Sequence, residues 1–343
     1  MLFDSVSCEM EKVKDSKDIK PQEIANVLYS FATSQRSNDE LFEAFSLPLL
    51  RLFGENDSLA EPQHFSNVIW SYATAQQRGA RQAEFISLLA DAMESRPGFA
   101  SRFNGQALAN TAWGLAKLLV QSEQQNDHHQ NPNDGSAGRQ NQHLVVVRIL
   151  RQVAMAMIDR PGDFRPQHVS NSVWAMATMG FGVGEDARQG VREINGAPLL
   201  QTDNIESDRK LMMAVLHSVA KSSIPRLSRF SSQGLSNLAW SFAKLGHCHP
   251  ELFHEISIAL AAQRQPPNGQ DIANTLWAFA TVGYHDEDAF ERTLSRVNRR
   301  TINTMQLQEI SNVFWAIGTA GIKSDFTDAF NTQRSSPKKQ PSN

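Results

Sequence analysis

Cysteine is nearly absent: Cys8 and Cys248 are the two thiols in 343 residues. Two thiols build no disulfide framework, and such usage fits a reducing compartment. A positive balance is lacking too. Lys and Arg number 33 against 36 Asp and Glu, a formal net charge of -3. This excludes a uniformly basic nucleic-acid coat but leaves room for a local basic groove. No apolar run approaches the roughly 18 residues of a membrane-spanning helix. The first twenty residues have no apolar h-region and interleave acids with Lys12, Lys14, Lys17 and Lys20. That pattern is neither a secretory signal nor an Arg-rich transit peptide.

Catalytic signatures are also missing. No Walker motif, nucleophile elbow or kinase set occurs. His254-Glu255 is followed by Ile258 where a zincin carries histidine. His247, Cys248 and His249 cluster ahead of Pro250, a residue that marks a helix start. Gly180, Gly182 and Gly184 follow a helical rather than a strand pattern, so they make no nucleotide fingerprint. The expectation is a chain without enzymatic activity, bound metal, cofactor or small-molecule substrate.

What is present is a repeat. PQEIANVLYSFAT, PQHFSNVIWSYAT, GQALANTAWGLAK, PQHVSNSVWAMAT, SQGLSNLAWSFAK, GQDIANTLWAFAT and LQEISNVFWAIGT align without gaps, starting at Pro21, Pro62, Gly105, Pro166, Ser232, Gly269 and Leu307. With the glutamine as position 0, position 4 is Asn26, Asn67, Asn110, Asn171, Asn237, Asn274 and Asn312. Position 7 is Tyr29 and then all six tryptophans: Trp70, Trp113, Trp174, Trp240, Trp277 and Trp315. The glutamines are 41, 43, 61, 66, 37 and 38 residues apart. The long third and fourth spacings contain a polar Gln/Asn-rich stretch over 122–143, which reads as a disordered insertion, and a loop insertion over 182–206. With both set aside, the period is about 40 residues.

Within each unit, apolar residues fall at positions 2, 6 and 9 and again at 3, 7 and 10, the spacing of helix stripes. Proline before the glutamine suits a first helical turn, and glycine at position 13 (Gly180, Gly246, Gly283, Gly321) suits a left-handed stop. A second helical stretch follows each repeat, such as RQAEFISLLADAME from Arg81 and LVVVRILRQVAMAM from Leu144. The expected fold is all-α: an α-solenoid of about seven stacked helical hairpins over 20–331, with an extension over 1–19 and a disordered tail over 332–343.

The repeated residues allow two uses. The tryptophans could stack on bases, but their slot beside the small residues at positions 3 and 10 favours packing in the core. Gln, Asn and position 11 share a narrow arc, at about 0°, 40° and 20° around the helix. Position 11 is Thr except for Lys117 and Lys244. This ridge could line a groove, but a ladder bonding neighbouring turns is favoured. A residue identical in every repeat cannot read a varied sequence, so a base code is expected at position 1: Glu23, His64, Ala107, His168, Gly234, Asp271 and Glu309. Lys117, Lys244, Arg148 and Arg151 could contact phosphates, the other reading being an ordinary solvated face. Arg292, Arg296, Arg299 and Arg300, at helical spacing after the sixth repeat, could join them.

The core exemplified by GQDIANTLWAFATVG, Gly269 to Gly283, resembles the octotricopeptide-repeat proteins of algae. It is also similar to the helical regions of the FAST-kinase-domain family and to the RNA-editing substrate-binding complex subunit 6-type domain. The resemblance spans 21–321. It implies an organelle protein, in mitochondrion or chloroplast, that binds single-stranded RNA. Such a protein acts in transcript stability, processing or translation alongside other RNA-processing proteins. The other reading of the residues is an armadillo- or HEAT-like scaffold for protein partners.

Overall fold

A computed structural model describes residues 20–35, 41–42, 44–45, 61–76, 80–126, 136–183, 200 and 202–322. The expected extension over 1–19 and the tail over 332–343 lie outside these residues. Among those described, the chain is all-α, with thirteen α-helices and no strand. Seven carry the repeat and are here called A helices: α1 (Pro21–Thr33), α2 (Pro62–Ala75), α4 (Gly105–Asn126), α6 (Pro166–Thr178), α8 (Ser232–Lys244), α10 (Gly269–Thr281) and α13 (Leu307–Ala320). Between them lie α3 (Ala80–Ser95), α5 (Ser136–Asp159), α7 (Ile205–Ser223), α9 (Pro250–Ala261), α11 (Glu287–Leu294) and α12 (Arg299–Thr304). Two compact units, Met1–Ser218 and Val219–Asn343, stand where one repeat domain is expected.

Each unit has the same internal logic. In the first, α1, α2, α4 and α6 pack side by side in order, and α3 packs on α5 in a second layer. In the second, α8, α10 and α13 pack in order while α9 packs on α11. The stripe at positions 2, 6 and 9 faces the second layer and is buried in nearly every repeat, for example Ile272, Leu276 and Phe279 at 0% exposure. The small residues at positions 3 and 10, such as Ala109 and Ala116, are buried where A helices meet. At Gly114 a Cβ would come within 2.7 Å of the Ile69 side chain, so glycine is what allows α2 and α4 to approach. The large aromatic side chains sealed in the core are phenylalanines, among them Phe65, Phe85, Phe242, Phe253, Phe279 and Phe290.

Helix starts follow the repeat. Pro21, Pro62 and Pro166 open their helices. Position 13 is the stop: Gly180, Gly246, Gly283 and Gly321 have φ between 64° and 71°. Gln35 and Gln76 hold the equivalent place in the first two repeats with φ 54° and 57°, a left-handed conformation without the glycine that suits it. The third repeat has Leu119 there, and its helix runs on to Asn126.

That run-on corrects the disordered insertion expected over 122–143. Residues 122–126 and 136–143 are helical, and His143 is buried. Extending an already packed helix needs no new nucleus, and Gln, Ala and Arg are good helix formers, so polarity alone does not end it. Residues 127–135 lie outside the described set. The expected loop over 182–206 is anchored at both ends. Val183 and Leu200 are buried, and the Leu200 N–H donates to the Met179 carbonyl at 2.9 Å. Residues 184–199 and 201 are outside the described set.

Candidate nucleic-acid interface

The position-7 residues mark the rim of the A-helix layer. Trp277 is buried at 8% exposure, Trp315 is 46% exposed, Tyr29 is 42% exposed, and the other four tryptophans are half-buried. The reading of these residues as core fits Trp277, while Tyr29 and Trp315 are exposed and the other four are half-buried. At 100° per residue, position 7 lies about 130° from the centre of the 2/6/9 stripe but only about 40° from the polar arc. One part of each ring packs while another stays reachable.

In the first unit these rings form a ladder. The Tyr29 and Trp70 centroids are 4.8 Å apart with planes at 32°, and those of Trp70 and Trp113 are 6.4 Å apart at 25°. The Lys117 ammonium then sits 5.6 Å from the Trp113 centroid and 5.6 Å from that of Trp174, a cation between two indoles. It makes no hydrogen bond or ion pair among the described residues. In the second unit, Lys244 lies 5.9 Å from the Trp240 centroid and is only 3% exposed; burial pushes its ammonium down to about 8.

Beside the rings runs the asparagine column. The favoured ladder between neighbouring turns is not what the geometry contains. Among the described residues, the side chains of Asn26, Asn67, Asn110, Asn171, Asn237 and Asn274 make no hydrogen bond. Asn312 accepts one from Gln308 Nε2 at 3.1 Å, within its own helix. Asn26 is exposed and the others are half-buried; the seven repeat glutamines are all exposed. Each amide therefore keeps a donor and an acceptor at the surface.

Position 1, where a base code is expected, is engaged inside its own helix in five of the seven repeats. It is the third residue of the helix, and its side chain folds back to cap it. Glu23, His64, His168, Asp271 and Glu309 accept the N–H of Lys20, Glu61, Arg165, Asn268 and Gln306 at 2.9, 3.3, 3.3, 3.3 and 2.9 Å. His64 and His168 accept through Nδ1, and burial lowers both imidazoles from the ordinary value, with Arg165 adding to the effect at His168. Asn268 and Asp271, three apart, carry a capping-box signal visible in the sequence.

Four of the six arginines expected to contact phosphate are committed inside the chain. Arg148 joins α5 to α3 through Asp91 at 2.8 Å and Glu94 at 2.6 Å. Arg151 reaches Asp208 at 2.7 Å and Asp203 at 2.6 Å. Arg292 donates to Ser257 Oγ at 3.0 Å, and Arg296 to the Gln263 carbonyl at 2.7 Å. The arginines after the sixth repeat do not share one helix. The chain breaks after Leu294 and restarts at Arg299, where Asn298 Oδ1 accepts the Thr301 N–H. Arg299 and Arg300 alone of the six are exposed. The structure thus brings Lys117 beside Trp113 and Trp174 in the first unit and Lys244 beside Trp240 in the second.

A further feature escapes sequence reading because three elements build it. A cleft of about 570 Å³ opens at the starts of α8 and α10 and the end of α9, lined in part by Ser231, Gln233, Gln263, Arg264, Asn268 and Asp271. Asp271 is buried there, which raises its carboxyl from the ordinary value, and Ser236 Oγ donates to it at 3.3 Å. Among the described residues no helix is long and apolar enough to cross a membrane. No protein-family model matches the chain, and no curated protein matches it.

Proposed function

We propose that this chain is a non-catalytic, organelle-type RNA-binding protein. Its seven A helices and their partners would form an α-solenoid. Single-stranded RNA would lie across the A-helix rim, and the bound transcript would be protected or presented for processing or translation, with other RNA-processing proteins as associates. One observation carries the reading: a column of repeated asparagine amides that, Asn312 apart, make no hydrogen bond among the described residues, beside half-buried indoles and the Lys117 ammonium. Unspent amides suit base edges, aromatic rims suit unstacked bases, and a fixed ammonium suits phosphate. The resemblance of the repeat to organelle RNA-binding families supports the same conclusion.

The test is equilibrium binding of the purified chain to a randomised single-stranded RNA pool over a salt series, with duplex DNA as control. RNA-preferring binding with a shallow salt slope supports base readout. Binding no better than the duplex control, or lost near physiological salt, refutes it. A second reading, a protein-interaction scaffold, is favoured by a specific observation. Four of the six candidate arginines are bound within the chain, leaving the rim thin in positive charge.

A further inference from the structure

The rim is uniform where a sequence reader would vary. The polar arc and rim of each A helix consist of positions 0, 4, 7 and 11, reachable except at Trp277, Thr178 and Lys244, which are buried. Position 0 is always Gln and position 4 always Asn. Position 7 is Trp or Tyr, and position 11 is Thr or Lys. The neighbouring position 1, where residue identity does vary, is consumed by capping in five repeats. Identical side chains at identical places present identical hydrogen-bond patterns. Such a surface is complementary to a polymer that repeats the same group, not to a varied one.

The ring spacing decides how bases meet this surface. A base inserted between two rings needs about 7 Å, twice the contact distance of aromatic carbons. Tyr29 and Trp70 are 4.8 Å apart, and Lys117 already occupies the space between Trp113 and Trp174. Intercalation is closed at these steps, so the bases meet ring edges and the amide column. A carboxamide pairs bidentately with an edge that sets a donor beside an acceptor. On the N7 side adenine alone does so, with N6–H₂ next to N7, and Asn is its usual partner. On the Watson–Crick edge every base sets a donor beside an acceptor, so the N7 side is where a carboxamide singles out adenine.

We infer that the asparagine column of the first unit, Asn26, Asn67, Asn110 and Asn171, selects a run of consecutive adenines in single-stranded RNA. Each A helix takes one base, as helical repeats can. Lys117 contacts the phosphate backbone and is indifferent to the base. This specificity rests on the RNA-binding reading above and adds the sequence class to it.

The experiment measures fluorescence anisotropy of the full chain with labelled 16-mers of oligo(rA), oligo(rU), oligo(rC) and a mixed sequence at physiological salt. The expected result is about tenfold or greater preference for oligo(rA). Asn110→Ala should lower oligo(rA) affinity about tenfold, and by more than it lowers oligo(rU) affinity, so that the preference for oligo(rA) shrinks. Asn110→Asp, isosteric but without the N–H₂ donor, should do the same, and a thermal melt of each variant checks folding. Lys117→Gln should weaken all four RNAs alike. RNA binding with equal affinity for all four, a preference for oligo(rC) or oligo(rU), or folded Asn110 variants that keep the oligo(rA) preference would overturn the adenine assignment alone. Failure of every RNA to bind would overturn the RNA reading itself.

Discussion

Replacing Arg151 by methionine separates structural from functional use of the same cation. Arg151 Nε lies 2.7 Å from Asp208 Oδ1, and a second guanidinium nitrogen reaches Asp203 at 2.6 Å. The two acids are not equivalent: Asp208 is 1% exposed, Asp203 63%. An exposed pair is worth less than about 1 kcal/mol. A buried carboxylate stripped of its partner costs about 3–5 kcal/mol, because its charge is left without compensation. Thr202 Oγ1 also donates to Asp208 and retains part of the solvation, so the lower end, about 3 kcal/mol, is the expected loss for Arg151→Met. For a unit of roughly 200 residues that corresponds to a fall of about 6–12 °C in Tm. Urea denaturation followed by circular dichroism reads the free energy, and an Arg151→Met/Asp208→Asn cycle isolates the pair. Affinity for RNA should be unchanged where the variant is folded. A variant of wild-type stability with weakened RNA binding would refute the assignment of Arg151 to the fold.

Three other perturbations follow from the same geometry. Gln76→Gly relieves a left-handed strain of about 1–2 kcal/mol against a chain-entropy cost of about 0.5–1, so a small rise in urea midpoint is expected; a clear fall would contradict the φ of 57°. Trp277→Ala, at 8% exposure, should cost about 3–5 kcal/mol, while Trp315→Ala, at 46%, should cost under about 1.5; equal losses in thermal melts would contradict the graded rim. The Lys244 ammonium is held down to about 8 by burial, below its unfolded value. Between pH 8 and about 10.5 the unfolded chain then holds more protons, so stability rises with pH by up to about 3 kcal/mol. Lys244→Met should flatten that rise in denaturant titrations at several pH values, and an unchanged slope would exclude this group as its source.

The helices themselves were legible from the sequence because their signals are local. Proline at a first turn, glycine at position 13 and apolar residues at 2, 6 and 9 each act within one helix. The polar ridge was legible for the same reason. The tryptophan burial was legible in part: proximity to small residues suggested core, as at Trp277, while the angle of position 7 set it nearer the ridge than the core. The partners of Arg148, Arg151, Arg292 and Arg296 lie on other elements or connecting segments, 33 to 57 residues away. No local pattern marks such pairs. His64 and His168 show the opposite case: a varied residue suggested a code, while the local rule for the third position of a helix accounts for the bond each makes.

The run-on of α4 has a mechanical consequence. At about 1.5 Å per residue, its 22 residues reach roughly 14 Å farther than the 13 of α1 or α6. The A helices of the first unit begin at the same repeat position, so the excess lies at the C-terminal end of α4, a helix that also packs on α5. One border of the layer is level and the other carries a spur. An RNA lying across the four helices, as proposed above, would meet this spur along one border. For that RNA, the spur would supply a sense of direction that the uniform amides cannot.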